Sequence, residues 1–432
     1  MREMKNSGIE WIGEIPLGWE ISPLKYNYTI IAGATPNSTC QEYWDGNITW
    51  ITPADYKTPD VYVCDSSRKI TKRGLVSCST SILPVGSIVF SKRAPIGSVA
   101  ITRRELCTNQ GCIGLVAKNR LVNNKYFYYV LSIYPEVFDL YGSGTTFKEI
   151  SATTFASIQF PFPHVSIQDR IATFLDSKCS EIDAISADIR KEIETLEQYK
   201  RSVITEAVTK GLNPDAEMKD SGVAWCPQIP SHWQYTNPKG LFGLRTDRAF
   251  QNDRQLTASQ EYGIVYQDEY MEKTGNKVVT VTKDFSILKH VEPDDFVISM
   301  RSFQGGLEYS DKRGCISSAY VMLIPNKEFV YAPFYRWFFK SSKYINALQS
   351  TSNLVRDGQA MRYANFVKVP LFIIPIEEQK AIASYLDEKI GKVNSILAAK
   401  KSQLEILSNY KKSLIYEYVT GKKEVPLWKS NT

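Results

Sequence analysis

Histidine is scarce in this chain, with three copies in 432 residues, at positions 164, 232 and 290. So few leave no HExxH metal helix and little material for acid–base chemistry by imidazole. His164 and His232 stand beside Pro163 and Trp233 at segment borders, which suits a structural or merely exposed role. Phosphate-cradling turns are also missing. There is no GxxxxGKS/T and no GxGxxG, and the nearest glycine clusters are Gly142-Ser143-Gly144 and Gly305-Gly306. ATP and dinucleotides therefore have no signature here. The eight cysteines (40, 64, 78, 107, 112, 179, 226 and 315) show no CxxC and no paired Cys/His spacing. That argues for reduced thiols over a metal site or a disulfide framework. Asn237-Pro238 lacks the second proline and the aromatic residue of the motif that holds a flipped adenine. No stretch approaches the ~18 apolar residues of a membrane span, and the opening MREMKNSGIEW has no apolar signal core. A cytoplasmic protein without membrane contact is expected. Carboxylates are plentiful, but no pair recurs in both halves, as a duplicated active site would require. No catalytic centre and no metal site emerge.

What is present describes an ordered globular protein: 43% hydrophobic and 23% charged residues. A chain of 432 residues exceeds what one hydrophobic core serves. The net charge of +6 is unevenly spread, at +3 over 1–160, −3 over 161–215, +3 over 216–376 and +3 over 377–432. Mild basicity outside the first acidic helix permits nucleic-acid binding without requiring it.

Two repeats organise the chain. The stretch 168–210 recurs without a gap at an offset of 211, from Gln379 to Gly421. Each copy reads as a long helix without proline, ending at Gly211 or Gly421. Alternating steps of 4 and 3 trace a coiled-coil seam through Ile171, Leu175, Lys178, Ile182, Ile185, Ile189, Glu192, Leu196, Tyr199 and Val203. In the second copy the seam runs through Ile382, Leu386, Lys389, Val393, Ile396, Lys400, Gln403, Leu407, Tyr410 and Leu414. Each rod would be roughly 60 Å long and needs a mate, most simply its own repeat. Lys178 and Lys389, at one position of both seams, either set register or lie at the rim with buried stems.

The second repeat opens each half: KNSGIEWIGEIPLGW over 5–19 and KDSGVAWCPQIPSHW over 219–233, at an offset of 214. Its Trp and Ile suit docking against a helix end. Behind each entry motif lies a strand-rich segment and then an aromatic helical stretch. The strands are SIVF (87–90), SVAIT (98–102) and IGLVA (113–117) in the first half, and KVVTVT (277–282), DFVISM (295–300) and YVMLIP (320–325) in the second. The helical stretches are 124–138 and 332–348; their helical spacing makes Tyr126–Tyr129 and Phe334–Phe339 core residues rather than stacking platforms. Ile88–Arg93 and Phe296–Arg301 correspond at an offset of 208, and each precedes a glycine turn.

These features resemble the specificity subunit of a type I restriction–modification system, over essentially the whole chain. The resemblance rests on Ser7–Trp19, on Thr35-Pro36 with Tyr43–Ile51, on VFSKRAPIG (89–97), on the turn at 142–145, on PIEEQ (375–379), and above all on two modules alternating with two near-identical helices. The second module departs in lacking the Thr-Pro…Trp-x-Gly segment, and Ser166-Ile167-Gln168 replaces Glu-Glu-Gln at the first helix entry.

The resemblance implies an α+β fold. Two globular target recognition domains would be separated by two long helices forming an antiparallel coiled coil, with internal two-fold pseudo-symmetry. The divisions are 1–163 (first recognition domain), 164–213 (first spacer helix), 214–374 (second domain), 375–421 (second helix) and 422–432 (tail). It also implies that each domain reads one half of a bipartite site in double-stranded DNA. The helices would set the unread spacer and dock methyltransferase subunits that methylate adenine. S-adenosylmethionine and ATP would belong to partners, the ATP to restriction subunits that join through the methyltransferase, and this chain would carry no cofactor. Duplex DNA repeats every ~34 Å, so a rod of this order can address two neighbouring groove segments.

Base reading needs Arg, Lys, Asn or Gln in fixed geometry, and backbone binding needs positive charge. In the first module the candidates are Lys92 and Arg93, with Arg68, Lys69, Lys72, Arg73, Arg103, Arg104 and Lys148. In the second they are Arg301, Ser302 and Gln304, with Arg245, Arg248, Arg254, Arg356 and Arg362. Taken singly, each could equally be a solvated surface charge; Arg93 and Arg301 share one place in both modules, where packing within the domain is the rival role. Two other readings predict different behaviour. A protein-interaction scaffold would show no salt-dependent DNA binding, and a self-contained methyltransferase would bind S-adenosylmethionine alone.

Overall fold

The computed structural model describes residues 2–56, 61–93, 95–133, 135–142, 148–281, 285–299, 306–351 and 362–426. The chain divides into two compact units, Met1–Arg190 with Ser402–Thr432, and Lys191–Lys401. The division falls inside both long helices, Val165–Lys210 and Ile376–Val419, so each unit owns a segment of each. No helix among the described residues is long and apolar enough to cross a membrane.

The first unit is built on a five-stranded sheet, in the order Tyr28–Ala32, Cys112–Ala117, Ile88–Ser91, Val99–Thr102, Tyr62–Val63. Ile88–Ser91 is buried throughout because both faces of the sheet are covered. Alternate side chains point to opposite faces. Ile88 and Phe90 join the core made with the aromatic helix Asn124–Ser132 and the long helices, whereas Val89 joins a smaller core with Ile51, Leu83 and Leu106. The second unit repeats the sheet as Phe242–Arg245, Val321–Pro325, Phe296–Ile298, Glu308–Tyr309. The register is the same. Phe90 lies opposite Ile113 and Ile88 opposite Ile101. At the offset of 208, Ile298 lies opposite Val321 and Phe296 opposite Tyr309.

Two sequence expectations for elements change. KVVTVT forms no strand over its described residues: Val279 is exposed, and the Gln255 side-chain amide takes both backbone hydrogen bonds of Val281. The aromatic helical stretches each break in two, into Asn124–Ser132 and Pro135–Tyr141, and into Ala332–Phe338 and Ser342–Ser350. Their rings are core, as the spacing predicts: Tyr126, Phe127, Phe334, Tyr335, Phe338 and Phe339 are all buried.

Each entry motif is a short hairpin, Met4–Asn6 with Glu14–Pro16 and Met218–Asp220 with Gln228–Pro230. Trp19 and Trp233 are buried, and each packs at the end of a long helix. In the first unit that is the end of the second helix, where a Cβ on Gly421 would lie 2.6 Å from Pro16 and 3.0 Å from Trp19. In the second unit it is the end of the first helix, at Gly211. Both glycines have positive φ, 76° at Gly211 and 73° at Gly421, and stop the helices as anticipated.

Just inside each helix start, a fully buried glutamine ties helix to module. Gln168 Oε1 accepts from the Asn123 N–H (2.8 Å), and its Nε2 donates to the carbonyls of Leu121 (3.1 Å) and Pro163 (2.8 Å). Gln379, its counterpart in the repeat, does the same with Tyr331, Phe329 and Ile374, all at 2.8 Å. The same shift relates the ion pairs Lys125–Asp176 and Arg336–Asp387.

Within each unit the two helix segments run antiparallel. In the first, the rings of Phe174 and Tyr418 approach to 4.5 Å and Lys411 grips both oxygens of Asp183 (2.6 and 2.7 Å). In the second, Lys400 pairs with Glu192 (2.5 Å) and Lys200 donates to Asn394 (2.8 Å). The seam needs correction. Ile171, Leu175, Ile182, Ile189, Ile382, Leu386, Val393 and Leu414 are buried, and Leu196, Val203 and Leu407 are half-buried. Ile185 and Ile396, however, are 49% and 47% exposed. The buried line takes a second step of 4 and passes through Cys179 and Ser186, and through Ile390 and Leu397. Steps of 4, 4 and 3 average near 3.67 residues per turn, which follows a nearly straight helix instead of a strict heptad. Lys178 and Lys389 consequently lie at the rim, Lys178 paired with Glu181 (2.8 Å) and Lys389 over the Tyr199 ring (5.8 Å).

Candidate nucleic-acid interface

In the first module, the end of Ile88–Ser91 delivers Lys92 and Arg93. Both turn toward one carboxylate: Glu149 lies 2.6 Å from Lys92 Nζ and 3.6 Å from Arg93 Nη1. Lys92 is only 13% exposed, whereas Arg93 is 34% exposed. A small sheet beside them, Trp44–Ile51 with Lys69–Ile70 and Cys107–Thr108, carries Lys69, with Arg68 just before it and Lys72 and Arg73 on the short helix Lys72–Val76 that follows. Arg68 lies over the ring of Trp44 (3.6 Å) and Arg103 over that of Tyr62 (4.2 Å), and each ring helps hold its guanidinium in place. Lys69 pairs with Asp65 (3.3 Å) and Arg73 with Glu42 (2.7 Å), both exposed pairs that a phosphate could displace at little cost. Lys72, Arg104 and Lys148 are exposed and make no ion pair among the described residues.

The second module differs. Arg245 is not available: its guanidinium binds Asp295 (2.6 and 3.0 Å) and Asp247 (2.9 Å), and it is 14% exposed. Asp295 is 1% exposed and burial pushes its carboxyl up, opposed by Arg245. Removing one partner of such a pair strands a buried charge, so Arg245 is structural. Arg254 stacks on Tyr266 (3.6 Å) while pairing with Asp268 (2.8 Å) and Glu269 (3.2 Å). Arg248 reaches the Ile287 carbonyl (3.4 Å), and Arg362 is exposed at the start of a short helix. Arg301, Ser302, Gln304 and Arg356 lie outside the described residues, as does most of the 142–145 turn.

One repeated feature of the two modules carries no charge. Beside Lys92 and Arg93, Asn109 Oδ1 accepts from the Gly111 N–H (2.9 Å), and the Cys112 N–H donates to the Asn109 carbonyl (3.1 Å). At the equivalent place in the second module, Ser317 Oγ accepts from the Ala319 N–H (3.3 Å), and the Tyr320 N–H donates to the Ser317 carbonyl (3.1 Å). The signal was present in the offset of 208 that relates Arg93 to Arg301. Extending it forward by less than twenty residues reaches both turns.

Among the described residues, the cysteines and histidines differ in burial and partners. Burial pushes the thiols of Cys107 and Cys112 up to about 12, and those of Cys179, Cys226 and Cys315 to about 11, so they stay protonated near neutrality. His290 is buried with both ring nitrogens engaged, Nδ1 by Asp253 and Nε2 by Glu292, each at 2.7 Å. His164 is exposed, and His232 contacts Glu378 (2.8 Å). Among the described residues, no group of three or more His, Cys, Asp or Glu could hold a metal ion.

Comparison with known proteins bears on the same two modules. The family profile described as the type I restriction modification DNA specificity domain matches residues 16–195 and again 230–406. The type I restriction enzyme MjaIX specificity subunit of Methanocaldococcus jannaschii is 35% identical over 190 residues, 43% of this chain and 43% of that one. The chain thus aligns with less than half the length of that relative. A putative type I restriction enzyme MjaX specificity subunit of the same organism is 24% identical over 444 residues, spanning 95% of both chains. Among solved structures, a chain from work on complex assembly and conformational transition of the type I R-M system superposes with a TM-score of 0.70 at 14% identity, covering 95% of this chain and 99% of that one. The HsdS subunit from Thermoanaerobacter tengcongensis gives 0.50 at 13% identity, covering 95% and 98%. At such identities the likeness is one of fold.

Proposed function

Because the chain belongs to the type I restriction–modification DNA specificity family, we propose that it is the non-catalytic, cytoplasmic subunit that selects the DNA sequence for its complex. Each module reads one half of a bipartite site in double-stranded DNA. The long helices set the gap between the halves and form an antiparallel coiled coil with two-fold pseudo-symmetry. Methyltransferase subunits dock on those helices, carry S-adenosylmethionine and methylate adenine. Restriction subunits join through them and supply the ATP-driven activity.

One observation carries this reading: two modules share one sheet register but present different side chains from it. A duplicated frame with divergent surface chemistry is what reading two different half-sites demands. The exposed apolar positions of the helices support the docking role. Ile185 and Ile396 are equivalent in the repeat, as are Tyr199 and Tyr410, and all four are exposed. Apolar side chains held at repeated positions outside the core suit a protein partner.

A methylome tests the proposal. The chain is co-expressed with its cognate methyltransferase subunit in an unmethylated host, and modified adenines are mapped by long-read sequencing. Two short specific sequences around a fixed gap are expected. A stable complex that methylates without sequence preference, or DNA binding indifferent to salt, would overturn it.

A further inference from the structure

The turns at 109–112 and 317–320 share a construction, and their tips differ. Three further contacts hold the first turn in place. The Asn109 N–H donates to the Ile51 carbonyl (2.9 Å), and the Lys92 N–H donates to that of Gly111 (2.9 Å). Gly33 approaches so closely that a Cβ there would lie 2.0 Å from the Asn109 carbonyl oxygen. A backbone tied at so many points has little freedom left. Its tip residue, Gln110, is nonetheless exposed, and its amide makes no hydrogen bond among the described residues. Arg93 is adjacent, with its Nε 3.3 Å from where a Cβ on Gly111 would stand. In the second module the tip is Ser318, also exposed and also without a hydrogen-bond partner among the described residues.

We infer that Gln110 and Ser318 are equivalent specificity positions, each reading a base edge in its own half-site from a pre-set turn. The inference rests on the DNA-reading assignment and names side chains within it. Direct readout requires donors and acceptors in fixed positions, because a floppy side chain pairs with any base. A glutamine amide presents a donor and an acceptor side by side and matches the N6 and N7 edge of adenine; a serine hydroxyl discriminates little. The first module's half-site is therefore stricter at the base pair facing this turn, with adenine favoured. The common frame and unlike tips also explain how one duplicated fold addresses two sequences.

The test uses the complete complex with its methyltransferase, comparing methylomes of wild type, Gln110→Ala and Ser318→Gln. Wild type should give a split motif. Gln110→Ala should relax one base pair of one half by roughly 10- to 100-fold in discrimination, leaving the other half and the gap unchanged. Ser318→Gln should change the opposite half alone. An unaltered motif in both variants would overturn the inference, as would two variants that alter the same half. So would loss of both halves together with a lowered melting temperature, since an exposed reader has no part in the fold. A wild-type complex without any split motif sinks the DNA-reading assignment itself, before either variant is made.

Discussion

Replacing Gln168 by Leu removes the buried side chain that joins the first long helix to the loop before the aromatic helix, leaving the exposed contact of Asp169 with Asn123 Nδ2 (2.6 Å) in place. The substitution is close in volume, so packing changes little and hydrogen bonding carries the effect. Three backbone groups lose their partner: the Asn123 N–H and the carbonyls of Leu121 and Pro163. A buried polar group left unsatisfied costs about 1–3 kcal/mol. Leu121 is 62% exposed, so water can reach its carbonyl, and two groups bear most of the loss. The total comes to about 2–6 kcal/mol, a large part of the stability of an ordinary domain. Native-state hydrogen exchange reads this directly. Protection at the Asn123 amide should fall by more than about tenfold, at about 1.4 kcal/mol per decade, while that of Tyr331 is unchanged. Gln379→Leu should do the reverse. A loss under about 1 kcal/mol at Asn123 would show that solvent already satisfies these groups and would refute the reasoning.

Gly421→Ala should destabilise the first unit by about 1–3 kcal/mol, since φ is 73° and the new methyl meets Pro16 and Trp19. Gly8→Ala, with the same φ and open space around it, isolates the backbone share, and equal melting temperatures for the two would contradict the packing argument. Ile185→Asp with Ile396→Asp should leave the melting curve unaltered, because both side chains are exposed. On the proposed docking role, the double variant should co-purify less methyltransferase; undiminished capture would remove these positions from the proposed surface. Glu308 is 5% exposed, and burial pushes its carboxyl up, with Lys340 (2.6 Å) opposing. A raised folded-state value means the folded chain holds the proton better than the unfolded one. Its stabilising contribution is therefore greatest below the ordinary carboxylate range and declines as pH rises through the folded value. Glu308→Gln should flatten that part of the stability–pH curve, and an unchanged slope in denaturant melts would count against it.

How much of the site was legible depended on what each signal measures. The repeat marked Gln168 and Gln379 as equivalent but could not say they were buried anchors, because a glutamine near a helix start ordinarily faces water. Charge counting proposed Arg245 on the same footing as Arg254. Only the packing reveals that the carboxylate holding Arg245, Asp295, is buried, whereas those paired with Arg254, Asp268 and Glu269, are exposed. Asn109, Gln110, Ser317 and Ser318 are uncharged and belong to no motif, so neither composition nor pattern marks them. What distinguishes Asn109 and Gln110 is a backbone held by distant strands.

The sequence by itself determined the duplicated plan: gap-free helical repeats, entry motifs at a matching offset, and glycines where the helices stop. These are local or periodic properties, and periodicity survives in one dimension. Tertiary structure decided which side of each helix is buried, moving the seam from Ile185 to Ser186 and from Ile396 to Leu397. It also decided which entry motif meets which helix end, and which cations are already spoken for. Each of those outcomes depends on residues distant in the chain occupying the same few ångströms, and no spacing rule encodes that.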